Sequence, residues 1–351
     1  MAAPFDPLPE PMLAKLVADV PEPGAVEGGL SFEPKWDGFR AIVSVDADGA
    51  VEIGSRGSKP LTRYFPELVA EFAAQLPPGT VVDGEIVVRV GPAGGERLDW
   101  ETLSQRIHPA KSRVDKLAEE TPASFVGFDL LADAGTSLLD SPFSQRRAAL
   151  ERVLAKARAP IHLSQTTQDA AAARRWLVEF EGAGLDGVIA KPLAAPYAPG
   201  KRVMLKIKHD RTADVVLLGY RIHKSGEGVG SLLLGLYTDE GQLVPVGGAS
   251  AFSNARRLEL IDELAPLVEL DESGEVAKGE TERSRFSASK DVSFVRLRPE
   301  RVLEVKYDQM EGWRFRHTVQ FVRWRDDRDP RSCTYEQLER PVAYDLSEVL
   351  A

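Results

Sequence analysis

FEPKWDGFRAIV, running from Phe32 to Val43, decides how the rest of the chain is read. Its apolar residues recur as they would in a strand, yet Lys35, Asp37 and Arg40 interrupt them. Taking a charge out of water is costly, so ionic residues at such positions imply a strand bordering a polar cleft. Four further segments place charges within or beside apolar runs: SRGSKPLTRYFPEL (55–68), VVDGEIVV (81–88), GLDGVIAK (184–191) and MLKIK (204–208). Any one of them alone reads as the solvated side of a strand. Together they supply cations at Lys35, Arg40, Arg56, Lys191, Lys206 and Lys208, and carboxylates at Glu33, Asp37, Glu85 and Asp186. Lysines serve phosphate oxygens as point charges, and carboxylates hold a hard divalent cation, so the two sets at strand ends suit a nucleoside triphosphate with its metal.

The bulk properties narrow the class. A chain of 351 residues with 43% hydrophobic content suits two or three domains with real cores. Its one cysteine, Cys333, forms no internal disulfide, which points to a reducing, cytoplasmic setting. The amino-terminal stretch shows no basic segment followed by an apolar run, so no secretion signal is expected, and no apolar run reaches the ~20 residues of a membrane span. The net charge of −10 argues against a strongly basic nucleic-acid binder. Its distribution is uneven: residues 1–200 carry 20 basic and 28 acidic side chains, whereas 281–331 carry 13 and 9. That +4 stretch, with Arg283, Arg285, Lys290, Arg296 and Arg298, is the candidate face toward a phosphate backbone.

Local patterns divide the chain near Asp210. Residues 1–210 mix strands with helices. RAIVSVDADGAVEIGSR reads as a hairpin around its Asp-Gly turn, and VVDGEIVV and ASFVGFDLLA as strands. RYFPELVAEFAAQL, SQRRAALERVLAKA and QDAAAARRWLVEFEGAG have helical spacing, the last closing on Gly182 and Gly184. Residues 211–351 read as short strands with glycine turns and one helix near NARRLELIDELAPL, a pattern that suits a small closed barrel. PGKRV (199–203) lacks the spacing and hydroxyl of a phosphate-binding loop, and GEGVGS (226–231) reads as a hairpin loop.

Lys35-Trp36-Asp37-Gly38-Phe39-Arg40 resembles the KxDGxR motif of the covalent nucleotidyltransferases, the superfamily of ATP-dependent DNA ligases, RNA ligases and capping enzymes. Ser55-Arg56-Gly57, Asp83-Gly84-Glu85, Phe128-Asp129-Leu130, Asp186 to Lys191, Leu205 to Lys208 and Arg325 to Arg328 follow in the superfamily's order. The whole resembles the short C-type ATP-dependent DNA ligases of actinobacteria, without the polymerase or nuclease domains of larger relatives. The resemblance implies an α+β, antiparallel-sheet, ATP-grasp-like nucleotidyltransferase domain over 1–210 and an OB-fold barrel over 211–351. It implies that Lys35 becomes adenylated by ATP, with AMP as a covalent intermediate, and passes AMP to a nicked duplex DNA. It places Glu33 at the adenine edge, Phe128 against adenine, Arg40 and Glu85 on ribose, and Arg56, Lys191, Lys206 and Lys208 around the nucleotide. Asp37, Glu85 and Asp186 would hold Mg2+ or Mn2+, and Arg325 and Asp327 would orient the leaving pyrophosphate. A hinge at 210–212, a monomeric state, a role in DNA repair and a repair polymerase as partner belong to the same expectation.

The chain departs from the motif pattern at three places: Asp186 replaces Glu, Met204 replaces an aromatic residue, and Arg328 replaces Lys. Two other readings remain open from the sequence: an RNA ligase or capping enzyme of the same superfamily, and a non-catalytic DNA-binding protein built on the barrel.

Overall fold

Two strands, not one, run through the stretch quoted above. In the computed structural model, Leu30–Pro34 ends in one sheet and Phe39–Val45 begins in another, so Lys35 to Gly38 cross between them. That crossing explains the charged residues: they stand at strand ends rather than in a continuous strand. The described residues are 5–57, 59–209, 211–280, 292–338 and 343–350.

The smaller sheet has the order Leu13–Leu16, Arg202–Ile207, Val188–Pro192, Leu30–Pro34, with only the first pair parallel. The larger is built on the antiparallel order Val51–Ser55, Phe39–Val45, Thr80–Val90, Ala123–Asp133. The expected hairpin is its first pair, turning at Asp46, whose carboxylate accepts from the amides of Asp48 and Ala50. Helix Pro66–Gln75 lays Leu68 and Phe72 on this sheet, where the Phe72 ring meets Phe125 edge-on at 5.0 Å. Proline in its first turn costs nothing, because the amide it removes would have no helical partner. Helix Ala170–Glu179 starts on the Asp169 cap and ends through a short turn at Gly184, in the left-handed conformation that glycine adopts without strain.

Helix Phe143–Val153 buries an arginine. Arg146 is fully buried and forks onto Asp129, with Nε to Oδ1 at 2.8 Å and Nη2 to Oδ2 at 3.0 Å. Its Nη1 donates to the carbonyls of Ser141 and Ala195. The pair ties this helix, the central strand and the loop after Pro192 into one block.

The second unit runs from His209 to Leu338. Arg211–Ile222, Val229–Tyr237 and Leu243–Ala249 form a meander, and Arg211–Ile222 also pairs with Val302–Tyr307, which pairs with Gln320–Trp324. A bridge from Ala249 to Val319 brings the two ends of this curled sheet together. Helix Asn254–Leu264, capped by Ser253, plugs it with Leu260 and Leu264. This is an OB-fold type of barrel, as the sequence suggests, and GEGVGS lies in a hairpin connection.

The expected division at 210 is corrected in two ways. Lys208 ends the first unit, and the described residues 343–350 belong to that unit, not to the barrel. Leu346, Val349 and Leu350 are buried with Trp36, Leu98, Phe128 and Phe180, and the Leu346 amide donates to the Glu96 carbonyl at 2.9 Å. Asp210, the expected start of the hinge, lies outside the described residues. Among the described residues no helix is long and apolar enough to cross a membrane.

Breaking a buried ion pair by removing one partner costs about 3–5 kcal/mol, whereas replacing both by apolar groups is often neutral. Arg146→Ala is therefore expected to lower unfolding free energy in urea by about that amount, and Arg146→Met with Asp129→Leu to recover most of it. A single variant as stable as the parent would show that the pair does not hold the block together.

Candidate active site

The strand ladder beyond Pro34 sets the first contact. Glu33 stands opposite Ile189 in the antiparallel pair, and the Lys35 amide then donates to the Gly187 carbonyl at 2.9 Å while the Asp186 amide donates to the Lys35 carbonyl at 3.3 Å. These bonds bring the side chain of Asp186 beside that of Lys35. Asp186 Oδ1 accepts from Lys35 Nζ, and its Oδ2 accepts from Lys208 Nζ at 2.7 Å. Burial alone would raise the Asp186 carboxyl, but the two ammonium groups outweigh it and hold the carboxyl below its ordinary range. Glycine is required beside it. Gly187 has φ +144°, and a Cβ there would lie 2.1 Å from the Ile207 carbonyl oxygen. Gly38 is equally confined, 2.1 Å from the Ile86 carbonyl oxygen, so the glycine of KWDGFR serves close strand approach rather than a turn.

A cleft of about 170 Å3 opens on this group. Glu33, Lys35, Arg40, Arg56, Glu85, Phe128 and Lys206 are among the residues that line it. Lys206 is half-buried and has no ion-pair partner among the described residues; burial first, then Lys208 and Lys35, push its ammonium below the ordinary lysine range. Arg56 is exposed and likewise unpaired among the described residues. Arg40 stands opposite Glu85 in the sheet but forks onto the fully buried Asp83, at 2.5 and 2.7 Å, with its guanidinium 4.3 Å from the centre of the Phe128 ring. Phe128 is both a cleft wall and a core aromatic, only 3% exposed.

Several expectations need correction. Lys191 does not line the cleft: it is 2% exposed and donates to Glu33 Oε1 at 2.8 Å and to the Phe128 carbonyl at 3.1 Å. Asp37, Glu85 and Asp186 do not converge, and among the described residues no three carboxylate, imidazole or thiol groups gather to hold a cation. Asp186 faces two lysines instead. The basic stretch is largely compensated where described, Arg296 pairing with Glu269 and Arg298 with Glu300, while Arg283, Arg285 and Lys290 lie outside the described residues.

Three groups escaped the sequence reading. Asp83 holds Arg40; the Tyr197 hydroxyl donates to Asp83 at 2.6 Å and accepts from the Met12 amide at 2.9 Å. The alternation that puts Asp83 and Glu85 on one face was the available signal for the first; Tyr197 and Met12 had none. In the barrel unit, Asp214 is the third. Arg325 is forked twice, onto Asp327 at 2.9 Å and onto Asp214 at 2.9 and 3.0 Å. The hydrogen bond from Arg325 lowers the Asp327 carboxyl to about 2.

Glu85 is the group poised to change charge near neutrality. Burial pushes its carboxyl up to about 7 from an ordinary 4.5, against the pull of Arg40 and Lys35. Folding therefore favours its protonated form: the contribution is fully present below pH 4.5 and is lost as pH rises through 7. A shift of this size corresponds to a swing on the order of 3 kcal/mol. Glu85→Gln is expected to remove that swing, so that variant and parent diverge in unfolding free energy between pH 4.5 and 7, the variant gaining as pH rises. A difference independent of pH would refute the assignment.

Residues 11–208 match the family described as the ATP dependent DNA ligase domain, and residues 225–328 the ATP dependent DNA ligase C terminal region. The chain is 54% identical to DNA ligase C of Mycobacterium tuberculosis, over 100% of this chain and 99% of that protein. It is 53% identical to DNA ligase C1 of Mycolicibacterium smegmatis over the same shares. Among solved structures, a Lig E DNA ligase superposes with a TM-score of 0.56 at 18% identity, covering 91% of this chain and 100% of that one, a likeness of fold. The chain therefore belongs to the short, actinobacterial-type ATP-dependent DNA ligases.

Proposed function

We propose that this ligase seals nicked duplex DNA through an adenylated Lys35. The observation that carries the reading is the Lys35 side chain in the cleft wall, paired with Asp186 and flanked by Lys206 and Lys208. Once its ammonium has released a proton, the Lys35 amine forms a bond to the α-phosphorus of ATP as the bond to pyrophosphate breaks. Asp186 aims the amine, and Lys206 and Lys208 stabilise charge on the transferring phosphoryl group. AMP then passes to a 5′-phosphate, freeing Lys35, and a 3′-hydroxyl displaces AMP. Arg56, exposed at the cleft and unpaired among the described residues, is the guanidinium available to the nick phosphate.

Phe128 would pack on the base, and Arg40 and Glu85 would meet the ribose, Asp83 keeping Arg40 aligned. The donor set bears on the metal. Asp186 is taken up by lysines, so the chain alone does not cage a cation; one arriving on the triphosphate, with Glu85 as a protein ligand, fits, as does the preference of Mg2+ for phosphates plus one or two carboxylates. Such a cation, Mg2+ or Mn2+, would neutralise phosphate charge. Asp37 would support it only at a distance. Arg325 and Asp327 would orient the pyrophosphate during adenylation alone. Action in repair as a cytoplasmic, nucleoid-associated monomer beside a repair polymerase belongs to the same reading, supported by the family resemblance.

Mass spectrometry after incubation with ATP and Mg2+ is expected to show one added AMP, absent from a folded Lys35→Ala variant; an adduct kept by that variant would refute the nucleophile. Arg325→Ala is expected to slow adduct formation roughly a hundredfold, in the range for removing one transition-state donor, while sealing of a pre-adenylated nick stays near the parent rate. Equal loss of both steps would contradict a role confined to adenylation.

A further inference from the structure

Glu33 and Lys191 are diagonal neighbours on one face of the smaller sheet: Glu33 stands opposite Ile189, and Lys191 opposite Ser31. Both are buried, Glu33 at 3% and Lys191 at 2% exposure, but only Glu33 reaches the cleft. Its Oε1 is taken by Lys191 at 2.8 Å. Its Oε2 is buried and has no hydrogen-bond partner among the described residues. A buried carboxylate oxygen left open at the wall of a binding cleft awaits a donor from the ligand.

We infer that Lys191 is a positioning residue that determines nucleobase specificity: its ammonium keeps Glu33 a pure hydrogen-bond acceptor, so the base edge that fits carries an exocyclic amine and not a carbonyl. The inference rests on the cleft taking a nucleoside triphosphate, as proposed above. An ionised carboxylate only accepts, whereas a protonated one also donates. A 6-oxo purine brings a carbonyl where a 6-amino purine brings an amine. Against the ionised Glu33 the carbonyl would leave two acceptors facing each other in a buried site, which is strongly disfavoured. Burial raises the Glu33 carboxyl on balance, against the pull of Lys191, then Arg147 and Arg40, and the 2.8 Å contact with the Lys191 ammonium is what opposes it most directly. Lys191 is the only one of the three hydrogen-bonded to Glu33 among the described residues. Without it, burial tips Glu33 toward its protonated, donating form, and the barrier to the carbonyl falls.

The test compares rates of Lys35 adduct formation with adenosine and inosine triphosphates across pH. The parent is expected to favour the adenosine nucleotide. Lys191→Met is expected to lower that preference roughly tenfold or more, chiefly through KM, with the greatest loss at low pH, and Lys191→Arg to restore it. Lys191→Met combined with Glu33→Gln leaves no charge buried at either position, so it guards against misfolding; its amide both donates and accepts, and it is expected to show the relaxed preference at every pH. A uniform fall with both nucleotides and an unchanged ratio would make Lys191 merely structural and overturn the inference. A parent that forms no adduct with any nucleotide would overturn the proposed function instead, and the inference with it.

Discussion

One buried carboxylate between two ammonium groups organises the nucleotide cleft. Asp186 is only 8% exposed, and the desolvation of its charge is offset because Lys35 and Lys208 approach it from just beyond the ends of two separate strands. The contact aims Lys35 without making it inert, since one carboxylate shared by two ammonium groups leaves the trio positive. Lys206 adds a further cation with no ion-pair partner among the described residues. The cleft thus has the charge an incoming polyphosphate would complement, and the protein's overall charge of −10 does not report it. Asp in place of the longer Glu suits this arrangement: a short side chain, delivered by the Gly187 carbonyl ladder, reaches both lysines while remaining buried.

Behind that trio the supports are mostly ionic and mostly buried. Asp83 with Arg40, Asp129 with Arg146, and Glu33 with Lys191 each join elements distant in sequence. Such pairs contribute little net stability over apolar packing, but each fixes the angle of a planar or branched group. A site that must hold reacting atoms to within a fraction of an ångström gains more from fixed geometry than from extra stability.

The sequence carried the site's membership well and its wiring poorly. KWDGFR, VVDGEIVV and DGVIAK were legible because ionic side chains in apolar runs conflict with burial, and such conflict collects at functional sites. Strand alternation and the Asp-Gly hairpin followed from local rules. Lys191 was misplaced because alternation shows which face a side chain occupies, not whether that face opens on the cleft or lies beneath it. Tyr197 and Asp214 were invisible because their partners lie 114 and 111 residues away. The net charge of the basic stretch does not show which arginines are paired: Arg296 pairs with Glu269, outside the counted stretch, and Arg298 with Glu300, inside it. Residues 343–350 gave too short a signal: Leu346, Val349 and Leu350 stand at i, i+3 and i+4, the spacing of a single helical turn, which does not name the surface they cover.

That last segment bears on how the protein is made. Its leucines complete the apolar wall behind Trp36 and Phe128, yet a ribosome reaches them only after the entire barrel unit. At about 5–20 residues per second, the interval between Lys208 and Leu346 is roughly ten seconds. During it the nascent first unit carries an unfilled greasy seam beside its future nucleotide cleft. Completion of the wall behind the cleft is thereby deferred until the barrel unit has been translated.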